Sequence, residues 1–150
     1  MRIIGNYRSY RFIVGLIREE VTEIAEQVNV RKSHLDIMVP LYEPFSTKAW
    51  ETLIQAQQRR YMGERRRNSL NKLYQAVSIA NEHLRMIPTA LQISQLASDQ
   101  QVRDTYRDET IRLLKNPLEA IETALPQAYT ALKIANVRHN ALTVKLDGKA

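Results

Sequence analysis

The stretch ERRRNSLNKLYQAVSIANEHLRMIPTALQISQL, residues 64–96, decides the fold. Leu70, Leu73, Val77, Ala80, Leu84, Ile87 and Leu91 follow one another at spacings of 3, 4, 3, 4, 3 and 4. Residues three and four apart stack on one face of an α-helix. The sustained alternation is that of a helix packed lengthwise against others. Pro88 lies inside the seam without breaking its phase. Proline deletes one backbone hydrogen bond and crowds the preceding turn, so either the helix kinks there or one helix ends near Met86 and another begins at Pro88. Arg66 falls one turn before Leu70, where apolar packing would have continued. The core is therefore expected to end at that arginine.

Working outward, a second seam matches the first. Leu118, Ile121, Leu125, Ala128, Leu132 and Ala135 again alternate by 3 and 4. Asn116-Pro117-Leu118-Glu119 reads as a helix start with Asn as cap and Pro at the first position. Pro126 predicts a kink. The seams at 70–91 and 114–135 form the natural central antiparallel pair. Between them, Ser98-Asp99-Gln100-Gln101 fits a capping box that opens a helix carrying Val102, Tyr106, Leu113 and Leu114.

N-terminal to the first seam, Ile13, Ile17, Val21, Ile24 and Val28 mark an amphipathic helix over about Tyr7 to Val28. Asn29 to Phe45 contains Pro40 and Pro44 and reads as an extended connection. It is too apolar for a free linker and is expected to lie packed across the bundle. Ser46 is a candidate N-cap, with Phe45 and Trp50 as a hydrophobic staple, for a helix over about Thr47 to Met62 closed by Gly63. Residues 138–150 read as a flexible tail, with an alternation at Leu142, Val144 and Leu146 that suits a short edge strand. The expectation is one all-α domain over residues 1–150: an antiparallel helical bundle of four to five helices with proline kinks.

The chain has 150 residues and no cysteine, so disulfides and thiolate chemistry are excluded. That composition suits a cytoplasmic setting. Its +6 net charge is local. From Arg59 to Lys72 there are six basic residues, Arg59, Arg60, Arg65, Arg66, Arg67 and Lys72, against the single acid Glu64. These cations are candidate contacts for an anion or nucleic acid, and Tyr61 among them is a candidate stacking ring. Consecutive arginines at 65–67 fan across roughly 200° of helix, so one surface cannot use all three. At the N-terminus, Tyr7, Arg8, Tyr10, Arg11 and Phe12 mix aromatic rings with cations and are candidate membrane-surface contacts. No run approaches the roughly 20 apolar residues of a span.

No catalytic motif accompanies these features. His34, His83 and His139 are isolated, with no HExxH or ExxH spacing to place two metal ligands on one helical face. Glu19, Glu23 and Glu26 lie off the apolar stripe of their helix and read as a solvated acidic face. Glu20 lies nearest the stripe and is the one expected to turn inward. There is no GxSxG nucleophile turn, and the four glycines form no phosphate-cradling loop.

Ser46-Thr47-Lys48-Ala49-Trp50-Glu51-Thr52-Leu53, then Asn68-Ser69-Leu70-Asn71-Lys72-Leu73-Tyr74 and Asn81-Glu82-His83-Leu84, resemble a pattern in poorly characterised prokaryotic helical proteins. Those proteins usually place a Glu-rich helix, like Arg18 to Gln27 here, just behind an N-terminal membrane anchor. The resemblance covers roughly residues 7–87 and rests on packing and capping residues, and the family offers no catalytic residue to transfer. It implies a membrane-proximal setting. This chain differs in having no span: it is either a soluble variant or a sequence that begins after one.

The reading that follows is a non-enzymatic helical structural or protein–protein interaction module, without cofactor or metal, that partners another protein or itself as a homo-oligomer. The alternatives are a nucleic-acid-binding protein using the basic segment 59–72, and a membrane-peripheral module using the N-terminus.

Overall fold

The computed structural model describes residues 2–36 and 42–134. The described residues form five α-helices: α1 (Arg2–Asp36), α2 (Lys48–Gln55), α3 (Glu64–Gln95), α4 (Gln100–Arg112) and α5 (Lys115–Leu132). A 3₁₀ turn at Arg59–Tyr61 links α2 to α3. No strand occurs among the described residues, and the chain is an all-α bundle. The tail beyond Ile134, with its expected edge strand and His139, lies outside the described residues.

The core is built from the two seams and from α1. Leu70, Leu73, Val77, Ala80, Leu84 and Ile87 of α3 are all buried, as are Leu118, Ile121, Leu125, Ala128 and Leu132 of α5. Ile13, Ile17, Val21, Ile24 and Val28 complete it from α1. Polar contacts give the directions. Arg66 at the start of α3 reaches the carbonyl of Ala131 at the end of α5, so these two helices are antiparallel. Arg18 of α1 bonds the carbonyl of Leu132, whereas Lys32 further along α1 meets Glu122 further back along α5, so α1 also opposes α5. Helices α1 and α3 therefore run in the same direction, which the long passage through α2 permits.

Several element ends differ from the sequence reading, each for a local reason. Helix α1 continues eight residues past Val28, to Asp36, so the connection is shorter than 29–45. The last residues of α1 are held partly by His34 and Ser33, which bond the carbonyls of Val30 and Asn29 one turn back. Helix α2 stops at Gln55 instead of Met62. Gln57 takes a left-handed φ of 54°, while the amides of Gln57 and Gln58 bond the carbonyls of Ile54 and Leu53. That is a Schellman closure without the glycine that normally announces one. Gly63, expected to close α2, instead caps the start of α3 in an extended conformation.

Helix α3 is continuous through Pro88, and α5 through Pro126. The cap of α4 is Asp99 rather than Ser98, its carboxylate accepting the amide of Gln101 at 2.9 Å. Helix α5 begins at Lys115, before the expected Asn116. Leu113 and Leu114 keep helical dihedrals between α4 and α5. Pro117, having no N–H, cannot bond the carbonyl of Leu113, and its ring crowds that carbonyl. This accounts for an interruption at 113–114 in what is otherwise a near-continuous return path along α3.

Candidate binding surfaces

The basic segment divides by duty. Arg66 is half-buried: its Nε donates to the carbonyl of Ala131 at 2.8 Å and its Nη1 to the hydroxyl of Tyr10 at 3.4 Å. Arg18 donates to the next carbonyl, that of Leu132, at 2.9 Å. Together they satisfy the end of α5, where orphaned carbonyls carry the negative end of the helix dipole. Arg66 at a seam position is thus a helix cap. Arg59 lies 5.9 Å from the centre of the Trp50 ring, and Arg60 lies 5.1 Å over Tyr61 while bonding its hydroxyl. Tyr61 also packs against Tyr10, ring centres 5.7 Å apart. The candidate stacking ring is already occupied by its neighbours.

Arg65 and Lys72 remain exposed. They lie seven residues apart on α3, with Asn68 and Ser69 between them on the same stripe. This stripe faces α5 across a groove of about 400 Å³, completed by Pro126, Gln127, Thr130 and Ala131. Among the described residues no acidic side chain lines it. On the other side of α5, the groove against α1 carries Glu19, Glu23 and Glu26 beside Arg18 and Lys133. Helix α5 therefore separates a basic groove from a largely acidic one. Arg67 is half-buried and lines neither.

The N-terminal aromatic–basic cluster is also divided. Tyr10 is 6% exposed and turned into the core. Arg8 and Arg11 are exposed, and Phe12 is 69% exposed. The side chain of Tyr7 lies outside the described residues. No helix among the described residues is long and apolar enough to cross a membrane.

Two features lie outside the basic segment and the N-terminal cluster. The first is a buried polar hub at Glu20. Its Oε1 accepts the Tyr74 hydroxyl at 2.7 Å and the Trp50 amide at 3.4 Å. Its Oε2 accepts the Ala49 amide and the Ser46 hydroxyl, each at 3.0 Å. The orphaned amides at the start of α2 are thus capped by a carboxylate from α1, not by Ser46, which donates to that same carboxylate. An anion at a helix N-terminus also meets the positive end of its dipole. Trp50 and Tyr74 stack face to face beside the hub, 4.9 Å apart and 3° from parallel. Burial and the adjacent Glu20 charge hold the Tyr74 hydroxyl far above its ordinary range. Nearby, the amide group of Asn81 both donates to and accepts from the backbone of Phe45, fixing the chain just before α2. The buried Arg31 guanidinium stacks 4.0 Å over the Phe45 ring. Its pKa is lowered by desolvation, against the opposing pull of Glu43.

The second feature is an apolar exterior on the α3–α4 hairpin. Ile79, Met86 and Ile93 lie seven residues apart on the face of α3 away from its core seam, and are 46%, 68% and 53% exposed. Leu96 follows at the hairpin tip, 85% exposed. On α4, Val102 and Tyr106 point away from Ile111, the one residue that helix buries, and Leu113 continues their stripe. The signal for this face was present in the sequence. Ile79, His83, Met86, Ala90, Ile93 and Ala97 form a second 4-3-4-3-4 alternation behind the first.

Among the described residues no group of three or more His, Asp or Glu is placed to hold a metal ion. The chain matches no protein-family model, no curated protein and no solved structure.

Proposed function

We propose that the chain is a non-enzymatic helical module that associates with a second copy of itself through the outer faces of the α3–α4 hairpin. The observation that carries this reading is the second apolar seam on α3, continued by Leu96 and the outward residues of α4. Burying each such side chain is worth roughly 1.5–3 kcal/mol, so a contiguous set of them rewards a partner surface. The charge around the seam favours self-pairing. Helix α4 carries Arg103, Arg107 and Arg112 against Asp104, Asp108 and Glu109, an even mixture of signs. Such a surface meets its own copy across a two-fold axis without net repulsion, whereas a strongly charged one selects a partner of opposite sign. Two hairpins joined in this way form a four-helix arrangement, with Met86 and Ile93 in the new core.

Sedimentation across a concentration series tests the reading. The expected result is a reversible dimer that becomes a monomer when Met86 and Ile93 are both replaced by Glu, with the monomer fold intact by circular dichroism. A wild-type chain that stays monomeric at high concentration rules the reading out.

A further inference from the structure

We propose that the groove between the first turns of α3 and the last turns of α5 binds the phosphodiester backbone of a single-stranded nucleic acid. The structure narrows the six cations of the basic segment to two. Arg66 is spent on the carbonyl of Ala131, and Arg60 is engaged with Tyr61. Arg59 is half-buried beside Trp50. Arg65 and Lys72 are exposed, line the groove and have no side-chain partner among the described residues. Seven residues of helix separate them by about 10.5 Å along the axis. Asn68 and Ser69 lie between them, and Gln127 and Thr130 face them from α5.

This arrangement suits a strand that runs along the groove. Two cations spaced along one wall meet two phosphates of one extended chain, where a compact mononucleotide would engage one of them. The amide groups of Asn68 and Gln127, one on each wall, supply uncharged donors to phosphate oxygens, while the hydroxyls of Ser69 and Thr130 donate to the carbonyls of Arg65 and Pro126. Among the described residues no carboxylate lines the groove to repel the ligand, in contrast to the glutamate-bearing groove on the opposite side of α5. Arg66 and Arg18 also cover the negative end of the α5 dipole that would otherwise face it. The groove is a cleft of about 400 Å³ between two packed helices, which takes one backbone rather than a duplex. Tyr61 packs against Tyr10 and carries Arg60 over its ring, and it does not line the groove. The binding is therefore sequence-tolerant. It does not depend on the hairpin interface proposed above, since none of the groove residues lies on the α3–α4 seam.

The test is fluorescence anisotropy with a labelled oligodeoxythymidylate of about 12 nucleotides, within the usual site sizes for single strands, joined to amide chemical-shift mapping on the full chain. Binding that weakens with salt is expected. Arg65→Glu with Lys72→Glu should weaken it at least tenfold and lower the log–log salt slope by about 1.4, the counterions of two phosphates. Arg11→Glu, away from the groove, should leave it within twofold. The amides of Gln127 and Thr130, on the uncharged wall, should shift on titration. Absence of binding at low salt overturns the proposal. So does equal weakening by Arg11→Glu, or shifts confined to other faces, either of which indicates general attraction to a basic protein. Equal shifts with inorganic pyrophosphate, and no tighter binding by the oligonucleotide, would assign the groove to free phosphoanions and overturn the polynucleotide reading.

Discussion

Helices α4 and α5 succeed one another with two residues between them and lie against the same partner, α3, yet they are held in different ways. Helix α5 buries Pro117, Leu118, Ile121, Leu125, Ala128, Tyr129 and Leu132. Helix α4 buries Ile111 alone and leaves Val102 and Tyr106 largely in solvent. Short helices are marginal in water, and most helical stability in proteins comes from packing an apolar face. The pair thus shows one helix stabilised inside the monomer and one whose outward apolar face is left for something else.

The largest effect that can break this comparison is in the core. Ile121→Ala should lower the unfolding free energy by about 3–4 kcal/mol in urea titrations, because its side chain is wholly buried in the seam facing α3. A loss below 1 kcal/mol would mean that α5 is not held by its seam.

A second test concerns α2, which is shorter than α4 but anchored by the Glu20 hub. Tyr74→Phe removes the 2.7 Å bond to that buried carboxylate and should cost about 2 kcal/mol at neutral pH. The same tyrosine sets an alkaline limit. Its folded-state pKa is raised by burial and by Glu20. Below about pH 10 it is protonated in both states and contributes no pH dependence. Above that, the unfolded chain releases a proton that the folded one keeps. Stability therefore falls as pH rises, by up to about 1.4 kcal/mol per unit. Burial of Tyr129 acts in the same direction. Urea titrations from pH 9 to 11 should show wild type and Tyr74→Phe converging, and parallel curves would refute the hub's contribution. The smallest effect completes the comparison: Val102→Ser on the outer face of α4 should change monomer stability by less than about 0.5 kcal/mol.

What the sequence made legible follows the range of the interactions. The seams of α3 and α5 were readable because a helix repeats its apolar face every three or four residues, and each residue from Leu70 to Ile87 obeys that period. Element ends were less readable where they depend on unusual residues or distant partners. Gln57 and Lys133 both close helices in the left-handed region, with φ of 54° at each, where a glycine would have been the signal. Proximity in the chain points to Ser46 as the cap of α2, but the group that caps it lies 29 residues before Ala49 in the chain. Only the inward position of Glu20 on the α1 stripe hinted at it. Among the candidate site residues, the position of Arg66 on the apolar seam marked it as unusual. Its role, like the withdrawal of Tyr10 and Tyr61 from any ligand, depends on where α5 ends.

The distance between Glu20 and the helix it caps has a consequence for how the chain acquires its structure. Eight residues are too few to hold a helix in isolation. The amides of α2 find their acceptor only once α1, 29 residues earlier in the chain at Glu20, lies beside them. Residues 48–55 are therefore expected to join late on the folding route, with φ-values near zero when refolding and unfolding rates of variants are measured. Substitutions there act mainly by hastening unfolding rather than by slowing refolding.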